Sequence, residues 1–265
     1  MTPSDQVALK IKLEERFKTE IKKLFSDMLT VFRLMVIAQR APTGNNSLAK
    51  WDALLSNHFK RVQKAFRGIA LDEKADNNDD KLLIALMAWA DENSMIDSDE
   101  ISSTNMSDME YALTEARQAF SDEGVTEYSL RELSMAAYII LRRKFLGRVQ
   151  TIAITETQKA AESTKLMESY SKAGINPIEV VTGRVQTITS PITPVQQPEI
   201  TATKKWQDVG DKSVRKGHHA YEVSVVKINE PFIVNGEKLM YPGDTLLGAT
   251  IGNVINCRCV SVYKI

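Results

Sequence analysis

The residues best suited to chemistry lie in the last quarter of the chain. Both of its 2 cysteines and two of its 3 histidines occur there. The charged and reactive side chains of this stretch follow in the order Asp211, Arg215, His218, His219, Asp244, Cys257, Arg258 and Cys259. This concentration of scarce residue types allows three interpretations: a catalytic site, a metal site or a structural signature.

The catalytic interpretation is a cysteine-dependent hydrolase or protease. It requires a thiolate and a histidine within hydrogen-bond reach, usually with a third group that orients the imidazole. These residue types are present as Cys257 or Cys259, His218, and Asp211 or Asp244. Because neither cysteine stands in a known nucleophile signature, the hydrolase is the alternative and a non-enzymatic role is preferred.

The metal interpretation is a zinc-binding module built from His218, Cys257 and Cys259. Thiolate and imidazole are ligands that zinc prefers, but two cysteines one residue apart are a less usual spacing than Cys-x-x-Cys. A closed structural site also needs four ligands. We therefore predict no cofactor, with zinc as the weaker alternative.

The structural interpretation treats the same residues as part of a folded core. Arg215, His218, Asp244 and Arg258 would form a buried polar network, and the cysteines would pack as small apolar groups. This interpretation is preferred, because the spacing fits neither a nucleophile signature nor a closed metal site.

The chain is predicted to be helical over its first two thirds, and these helices form the scaffold for the C-terminal residues. Residues 4–40 predict one long helix, because apolar side chains between Ile21 and Met35 recur at spacings of four and three. Ser4 or Asp5 is suited to cap its first turn.

Two breaks and two further helices follow. Proline and glycine within residues 41–44 end the first helix. A second helix is predicted from Asn46 to Phe66, and a short apolar helix from Lys81 to Asn93 follows a polar break at residues 76–80. His58 has no second ligand near it in the second helix, and it is expected at the surface or at the boundary of the core.

The acidic stretch at residues 97–108 is predicted to be a loop, followed by a helix from about residue 107 to residue 120. Ser129 to Glu132 form a capping box, which predicts a helix that runs to about Lys172. The basic run at residues 142–144 could face phosphate, an acidic neighbour or water.

The composition of the sequence changes at Gly174. Residues 174–203 are rich in proline, threonine and valine and have almost no charge, which predicts an extended linker. The chain is thus divided into a helical domain at 1–173, the linker, and a small β-rich module at 204–265. The predicted fold class is α+β.

Within the module, residues 212–221 predict a helix, and residues 222–228 and 260–263 predict strands. Residues 231–241 predict a β-hairpin, because Asn235-Gly236 between apolar runs is a strong hairpin signal.

Charge is balanced overall but unevenly distributed. Residues 1–70 hold 13 basic and 6 acidic groups, whereas residues 71–132 hold 4 basic and 17 acidic groups. This asymmetry favours pairing between segments. No apolar run approaches the ~18 residues of a membrane span, and the two cysteines fit synthesis in a reducing cytoplasm.

The order of residues in the module resembles a known family. It reads Trp206-x4-Asp211-x3-Arg215-x2-His218, then Pro-Phe-x-Val-x-Gly-x-x-Leu-x-Tyr-Pro242-Gly243-Asp244, and it ends in Asn256-Cys257-Arg258-Cys259. This order resembles the C-terminal module of the phage Mu F-type minor head proteins, also described as phage head morphogenesis proteins.

The resemblance extends upstream and covers about residues 145–263. The segment from Arg148 that ends in Ala153-Ile-Thr155-Glu156 is similar to the family's helix segment ending in Ala-x-Thr-Glu. The chain departs from the family at Ser213, where an arginine is common, and at Glu222-Val223, near which a glycine is usual.

The resemblance implies a structural component of the virion that is made in the host cytoplasm. Such a protein is bound at the portal or capsid interior and assists head assembly, DNA packaging or DNA delivery. Its expected partners are the portal or the major capsid protein, with at most weak contact with packaged DNA. The resemblance implies neither binding to a membrane nor a small-molecule substrate.

Overall fold

The computed structural model describes residues 2–40, 45–67, 80–177, 201–208, 214–219 and 225–265. These ranges form an α+β structure in which long helices precede a small module that contains strands, which confirms the predicted fold class. Several predictions lie wholly or partly outside the described residues. They are the break at 41–44, the break at 76–80 except for Asp80, residues 178–200 of the linker predicted at 174–203, Asp211, Ser213 and Glu222-Val223. None of the described helices combines the length and the apolar character needed to cross a lipid bilayer.

The described residues before the module form the long helices α1 (Pro3–Ile37), α2 (Asn45–Phe66), α3 (Asp80–Asp122) and α4 (Leu130–Lys172). The start of α1 is capped by Thr2 and not by the predicted Ser4 or Asp5. The Asp5 N–H donates to Thr2 Oγ1 at 3.2 Å, and the Thr2 N–H donates to Asp5 Oδ2 at 3.0 Å. Asp5 therefore takes the reciprocal position of a capping box.

The start of α4 confirms the predicted capping box. The Ser129 N–H donates to Glu132 Oε2 at 2.8 Å, and the Glu132 N–H donates to Ser129 Oγ at 3.2 Å. The helix then runs to Lys172 as predicted.

The predicted loop at residues 97–108 is wrong, because α3 is a continuous helix of 43 residues. Asn105 is buried, and its Oδ1 accepts a hydrogen bond from Arg148 at 2.7 Å. Asp108 accepts from Lys144 at 3.0 Å and from Arg148 at 3.2 Å. Asn105 and Asp108 thus have partners on α4, and Lys144 faces an acidic neighbour.

Contacts divide the chain into two compact units. The first consists of Met1–Glu14, Phe59–Asp91 and Ile154–Ile265, and the second of Glu15–His58 and Glu92–Ala153. The first unit therefore includes a part of each long helix together with the C-terminal module. The domain boundaries expected at residues 173 and 203 stay predictions.

The core of the second unit is rich in aromatic side chains. His58 is completely buried there, and its ring stacks on Phe17 with centroids 3.8 Å apart. The prediction that His58 lies at the surface or at the boundary of the core is wrong. Trp51, Leu55 and His58 follow at spacings of four and three, which places His58 on the buried face of α2.

In the module of the first unit, the described residues form the short elements β1 (Thr203–Gln207), α5 (Lys216–His219), β2 (Val225–Lys227), β3 (Phe232–Val234), β4 (Glu237–Leu239), α6 (Ile251–Val254) and β5 (Val260–Lys264). β1 lies between β2 and β5 and is antiparallel to both. β3 and β4 form the predicted hairpin, whose turn residues Asn235 and Gly236 have φ of 52° and 81°. Two positive φ angles are typical of a type I′ turn.

One stretch of α4 is covered on every side. Residues 156–170, called the enclosed segment below, are all buried although many of them are polar. Leu166 and Tyr170 of this segment pack in a core cluster with module residues that include Ile228, Tyr241 and Tyr263. The module is thus folded around the last turns of α4.

Candidate functional site

Four parts of the module carry the residues of the predicted cluster. β1 carries Trp206, and α5 carries His218. Pro242, Gly243 and Asp244 follow the hairpin, where Gly243 has φ of 91° and the Asp244 N–H closes a turn by donating to the Tyr241 carbonyl at 3.1 Å. The last part, Asn256 to Cys259, connects α6 to β5. Asn256 has φ of 53°, a left-handed conformation that asparagine tolerates.

The structure brings His218, Cys257 and Cys259 together. Nδ1 of His218 lies 3.7 Å from Cys257 Sγ and 3.6 Å from Cys259 Sγ. The three potential ligand atoms all lie within 4.8 Å of one another, and all three residues are buried. Residues that are separated by about forty positions in the sequence therefore form one compact group.

The two thiols differ in their acidity because they interact with each other. The hydrogen bond from Cys259, aided by His218, holds the pKa of the Cys257 thiol below its usual value despite burial. The same contact with Cys257, together with burial, raises the pKa of the Cys259 thiol. Of the two thiols, Cys257 is therefore the one that more readily carries the negative charge.

A cavity of about 480 Å³ adjoins this group, and its lining includes His218 and both cysteines. Arg215 and Arg258 also line it, and each has a partner. Arg215 Nη2 donates to the Ile255 carbonyl, and Arg258 Nη2 donates to Glu14 Oε2 at 3.1 Å. Both arginines therefore belong to the framework of the first unit.

Asp244 has a separate structural role. Its Oδ2 accepts from the Met240 N–H at 2.7 Å, and its Oδ1 accepts from the Leu246 N–H at 2.8 Å. The expectation of one polar network that joins Asp244 to His218 is therefore not met. Burial raises the pKa of the Asp244 carboxyl, although these two hydrogen bonds oppose the effect.

The geometry does not support a cysteine nucleophile. Cys257 and Cys259 are only 3% and 2% exposed. Both share one imidazole nitrogen, and within the described part of the chain the other nitrogen, Nε2 of His218, has no hydrogen-bond partner that would orient it. Asp244 does not supply the orienting group, and Asp211 lies outside the described residues.

The α4 residues in the upstream stretch of the resemblance contact the residues of its C-terminal stretch. The Asn256 N–H donates to Thr155 Oγ1 at 3.2 Å. One turn further along α4, Gln158 Nε2 donates to the Cys259 carbonyl at 2.6 Å and contacts the Pro242 carbonyl at 3.3 Å. The two stretches of the resemblance are therefore held together by direct hydrogen bonds.

Gly243 and the upstream residues Ala153 and Glu156 are packed closely. A Cβ at Gly243 would lie 3.2 Å from Gln158 Cγ, and the positive φ of Gly243 also favours glycine. Ala153 is completely buried, and the Glu156 carboxylate lies 3.9 Å from Lys159 Nζ. These residues contribute to packing.

Lys204 is an unexpected buried cation beside the cluster. It lies on β1, and its Nζ donates to the Met240 carbonyl at 2.8 Å and lies 5.0 Å from the centre of the Phe232 ring. Burial lowers the pKa of Lys204 to about 7, although Asp244 and Glu230 oppose the shift.

Comparison with known proteins adds no relative. No protein-family model, no curated protein and no solved structure matches the chain. The function is therefore argued from the residues and from their geometry.

Several residues near His218 and the two cysteines could not be recognised from the sequence as part of the site. Gln158, Glu14 and Lys204 are ordinary polar residues until the fold brings their partners to them. Gly217 could have been noticed as a glycine next to His218, and a Cβ at this position would collide with the Asn235 side chain at 1.8 Å.

The pKa of Lys204 predicts a pH-dependent stability. Between about pH 7 and the usual lysine pKa of about 10.4, the unfolded chain keeps a proton that the folded chain has lost. The unfolded state then binds more protons, so the free energy of unfolding rises with pH, by up to about 1.4 kcal/mol per pH unit. Lys204→Met removes this contribution, and we expect a smaller rise for the variant.

Urea unfolding followed by circular dichroism at a series of pH values measures this difference. Lys205→Met is the matched control, because Lys205 is the exposed neighbour on β1. Its pH profile should equal that of the wild-type chain. Equal slopes for Lys204→Met and the wild type would show that Lys204 stays protonated when it is buried.

Proposed function

We propose that this chain is a structural minor head protein of a tailed bacteriophage, which binds at the portal or capsid interior and assists head assembly, DNA packaging or delivery. The proposal starts from the resemblance to the Mu F-type module. The observation that carries it is the convergence of Asn256 on Thr155 and of Gln158 on Cys259. Two stretches that the resemblance covers separately thus act as one folded unit.

The placement of the reactive residues also supports a structural role. His218, Cys257 and Cys259 are buried with Trp206, whose ring stands edge-on to the His218 ring at a centroid distance of 5.5 Å. Trp206 and both cysteines share a core cluster with hairpin residues. Side chains packed in such a core contribute to the stability of the module.

Three exposed apolar side chains form a ridge on the part of α1 that belongs to the second unit, and we propose that a partner protein covers it. Val31, Leu34 and Ile37 recur every three residues on α1, and their side chains are 43–63% exposed. Residues at this spacing lie close together on a helix surface. Exposed apolar side chains grouped in this way suit a protein that functions inside an assembly.

The test uses the phage whose genome encodes the chain. Particles purified by density gradient are analysed by mass spectrometry, and we expect the chain in few copies per particle. Deletion of its gene should reduce the yield of filled heads, and the wild-type gene supplied on a plasmid should restore it. Normal heads and normal infectivity without the chain would contradict the proposal.

The hydrolase alternative is separated by two variants in the same experiment. Cys257→Ala and Cys259→Ala are supplied on the plasmid, and the integrity of all virion proteins is followed by electrophoresis. A structural role predicts an unchanged set of protein fragments for each variant that accumulates to the wild-type level. Loss of a specific cleavage with either variant would favour the hydrolase.

A further inference from the structure

The arrangement of His218, Cys257 and Cys259 has the dimensions of a metal site. In a tetrahedral zinc site, Zn–S bonds of about 2.3 Å and Zn–N bonds of about 2.0–2.1 Å place the nitrogen about 3.6 Å from each sulfur. Nδ1 of His218 lies 3.7 Å and 3.6 Å from the two sulfurs. Both distances therefore match the N···S edges of a zinc-centred tetrahedron, and all three ligand atoms lie within 4.8 Å of one another.

We propose that His218 Nδ1, Cys257 Sγ and Cys259 Sγ bind one zinc ion, whose fourth position is open to water from the adjoining cavity. This site is independent of the proposed role in the phage head. It would be present in the isolated chain as well as in a particle.

A hydrogen-bonded thiol–thiol–imidazole group is the alternative to a metal, and it uses the imidazole nitrogen for only one of the two sulfurs. A single imidazole nitrogen carries either one proton or one lone pair, so it satisfies one thiol fully. Here two sulfurs lie at nearly equal distances from the same nitrogen. A cation at the centre of the group would interact with all three atoms at once.

Charge balance favours a divalent cation with these ligands. Two thiolates and a neutral imidazole carry a charge of about −2, which a zinc ion neutralises. The buried group would then hold no uncompensated charge, which avoids the large cost of burying an isolated ion. Sulfur and imidazole ligands select zinc over the magnesium and calcium ions that prefer oxygen.

The fourth position is assigned from the surroundings of the group. Among the described side chains, which do not include those of Asp211 and His219, no further histidine, cysteine or carboxylate joins the three residues. The cavity of about 480 Å³ touches all three of them. Three protein ligands and a water are a common zinc environment, and the cavity has room for that water.

Binding would connect two distant parts of the module. His218 lies on α5, and the cysteines precede β5, 39 and 41 positions later in the sequence. The ion would therefore fasten α5 to the strand that completes the sheet. Because metal bound only by the folded state stabilises that state, its removal should lower the melting temperature by about 5–15 °C.

The test begins with the full wild-type chain, purified with a reductant and without a chelator or a histidine tag. Elemental analysis should find about one zinc ion per chain. Replacement of zinc by cobalt should produce the thiolate-to-cobalt charge-transfer band and the strong visible bands of a tetrahedral site. A chelator should lower the melting temperature, and zinc, but not magnesium, should restore it.

Variants then locate the ion. Cys257→Ser, Cys259→Ser and His218→Ala should each reduce the bound zinc to a small fraction of the wild-type content. Arg258→Lys is the matched control, because residue 258 stands between the two cysteines and supplies no ligand. It should keep the zinc.

The measurements on the wild-type chain decide the question even where a variant fails to fold. Folded wild-type chain that holds no zinc after incubation with zinc and a reductant, and that gives no thiolate-to-cobalt band, would overturn the proposal. The three residues would then form a hydrogen-bonded thiol–imidazole group. Zinc retained by all three ligand variants would overturn it equally.

Discussion

Replacement of Glu162 by glutamine should lower the free energy of unfolding by about 3–5 kcal/mol. Glu162 is completely buried in the enclosed segment and accepts from Lys10 Nζ at 2.7 Å and from Lys165 Nζ at 2.8 Å. Its Oε2 also accepts from the Ser261 N–H at 2.8 Å. The substitution leaves two buried ammonium groups without a negative partner, which costs more than the interactions themselves contribute.

The effect should depend on pH in a defined direction. Burial disfavours the ionised carboxylate, but Lys10 and Lys165 outweigh it and hold the pKa of Glu162 below its usual value. A lowered folded-state pKa stabilises the protein above the usual glutamate pKa of about 4.3 and loses this contribution as the pH falls through the folded-state value. The difference between the wild type and Glu162→Gln should therefore be largest near neutral pH and decrease in acid.

Chemical unfolding at several pH values provides the measurement. Glu15→Gln is the control, since Glu15 pairs with Lys18 but is 63% exposed. An exposed pair contributes less than about 1 kcal/mol. A Glu162→Gln variant as stable as this control would mean that Lys10 and Lys165 lose their charge or reach solvent in the folded protein.

Replacement of Trp206 by alanine should cost about 3–5 kcal/mol, because it leaves a large cavity in the module. Trp206 is almost completely buried, and its ring meets the rings of His218 and Phe232 edge-on at 5.5 Å and 5.4 Å. It packs in the same core cluster as Cys257 and Cys259. The substitution removes the largest side chain of that cluster.

Thermal and urea unfolding of Trp206→Ala can be compared with those of Ile233→Ala. Ile233 is also apolar and lies on β3, but its side chain is 47% exposed. The control should lose only about 1 kcal/mol, since close to half of its side-chain surface stays in water. If both variants are equally stable, the Trp206 cluster contributes little to the module.

Local signals explain the parts of the fold that were predicted from the sequence. The Asn235-Gly236 turn and the capping box at Ser129 each depend on residues within four positions of one another. The acidic stretch of α3 was predicted wrongly for the opposite reason. Its partners Lys144 and Arg148 lie 36 to 43 positions away, so its composition alone indicated a solvated loop.

The site was predicted in its residue types but not in its geometry. His218, Cys257 and Cys259 could be selected because such residues are scarce, yet their spacing in the sequence did not show that three ligand atoms meet within 4.8 Å. The enclosed segment was harder to predict. Its charged residues suggest a solvated helix face, and only distant partners such as Lys10 explain why Glu162 is buried.

The enclosed segment also has a consequence for the order in which the protein can fold during its synthesis. Glu162 needs Lys10, which the ribosome makes early, and Ser261, which it makes almost a hundred residues after Glu162. Until residue 261 has emerged, these carboxylate and ammonium groups lack their full set of partners and remain in water. The first unit therefore completes its folding only after translation has passed the module, and a nascent chain halted before β5 would expose a polar helix that proteases can recognise.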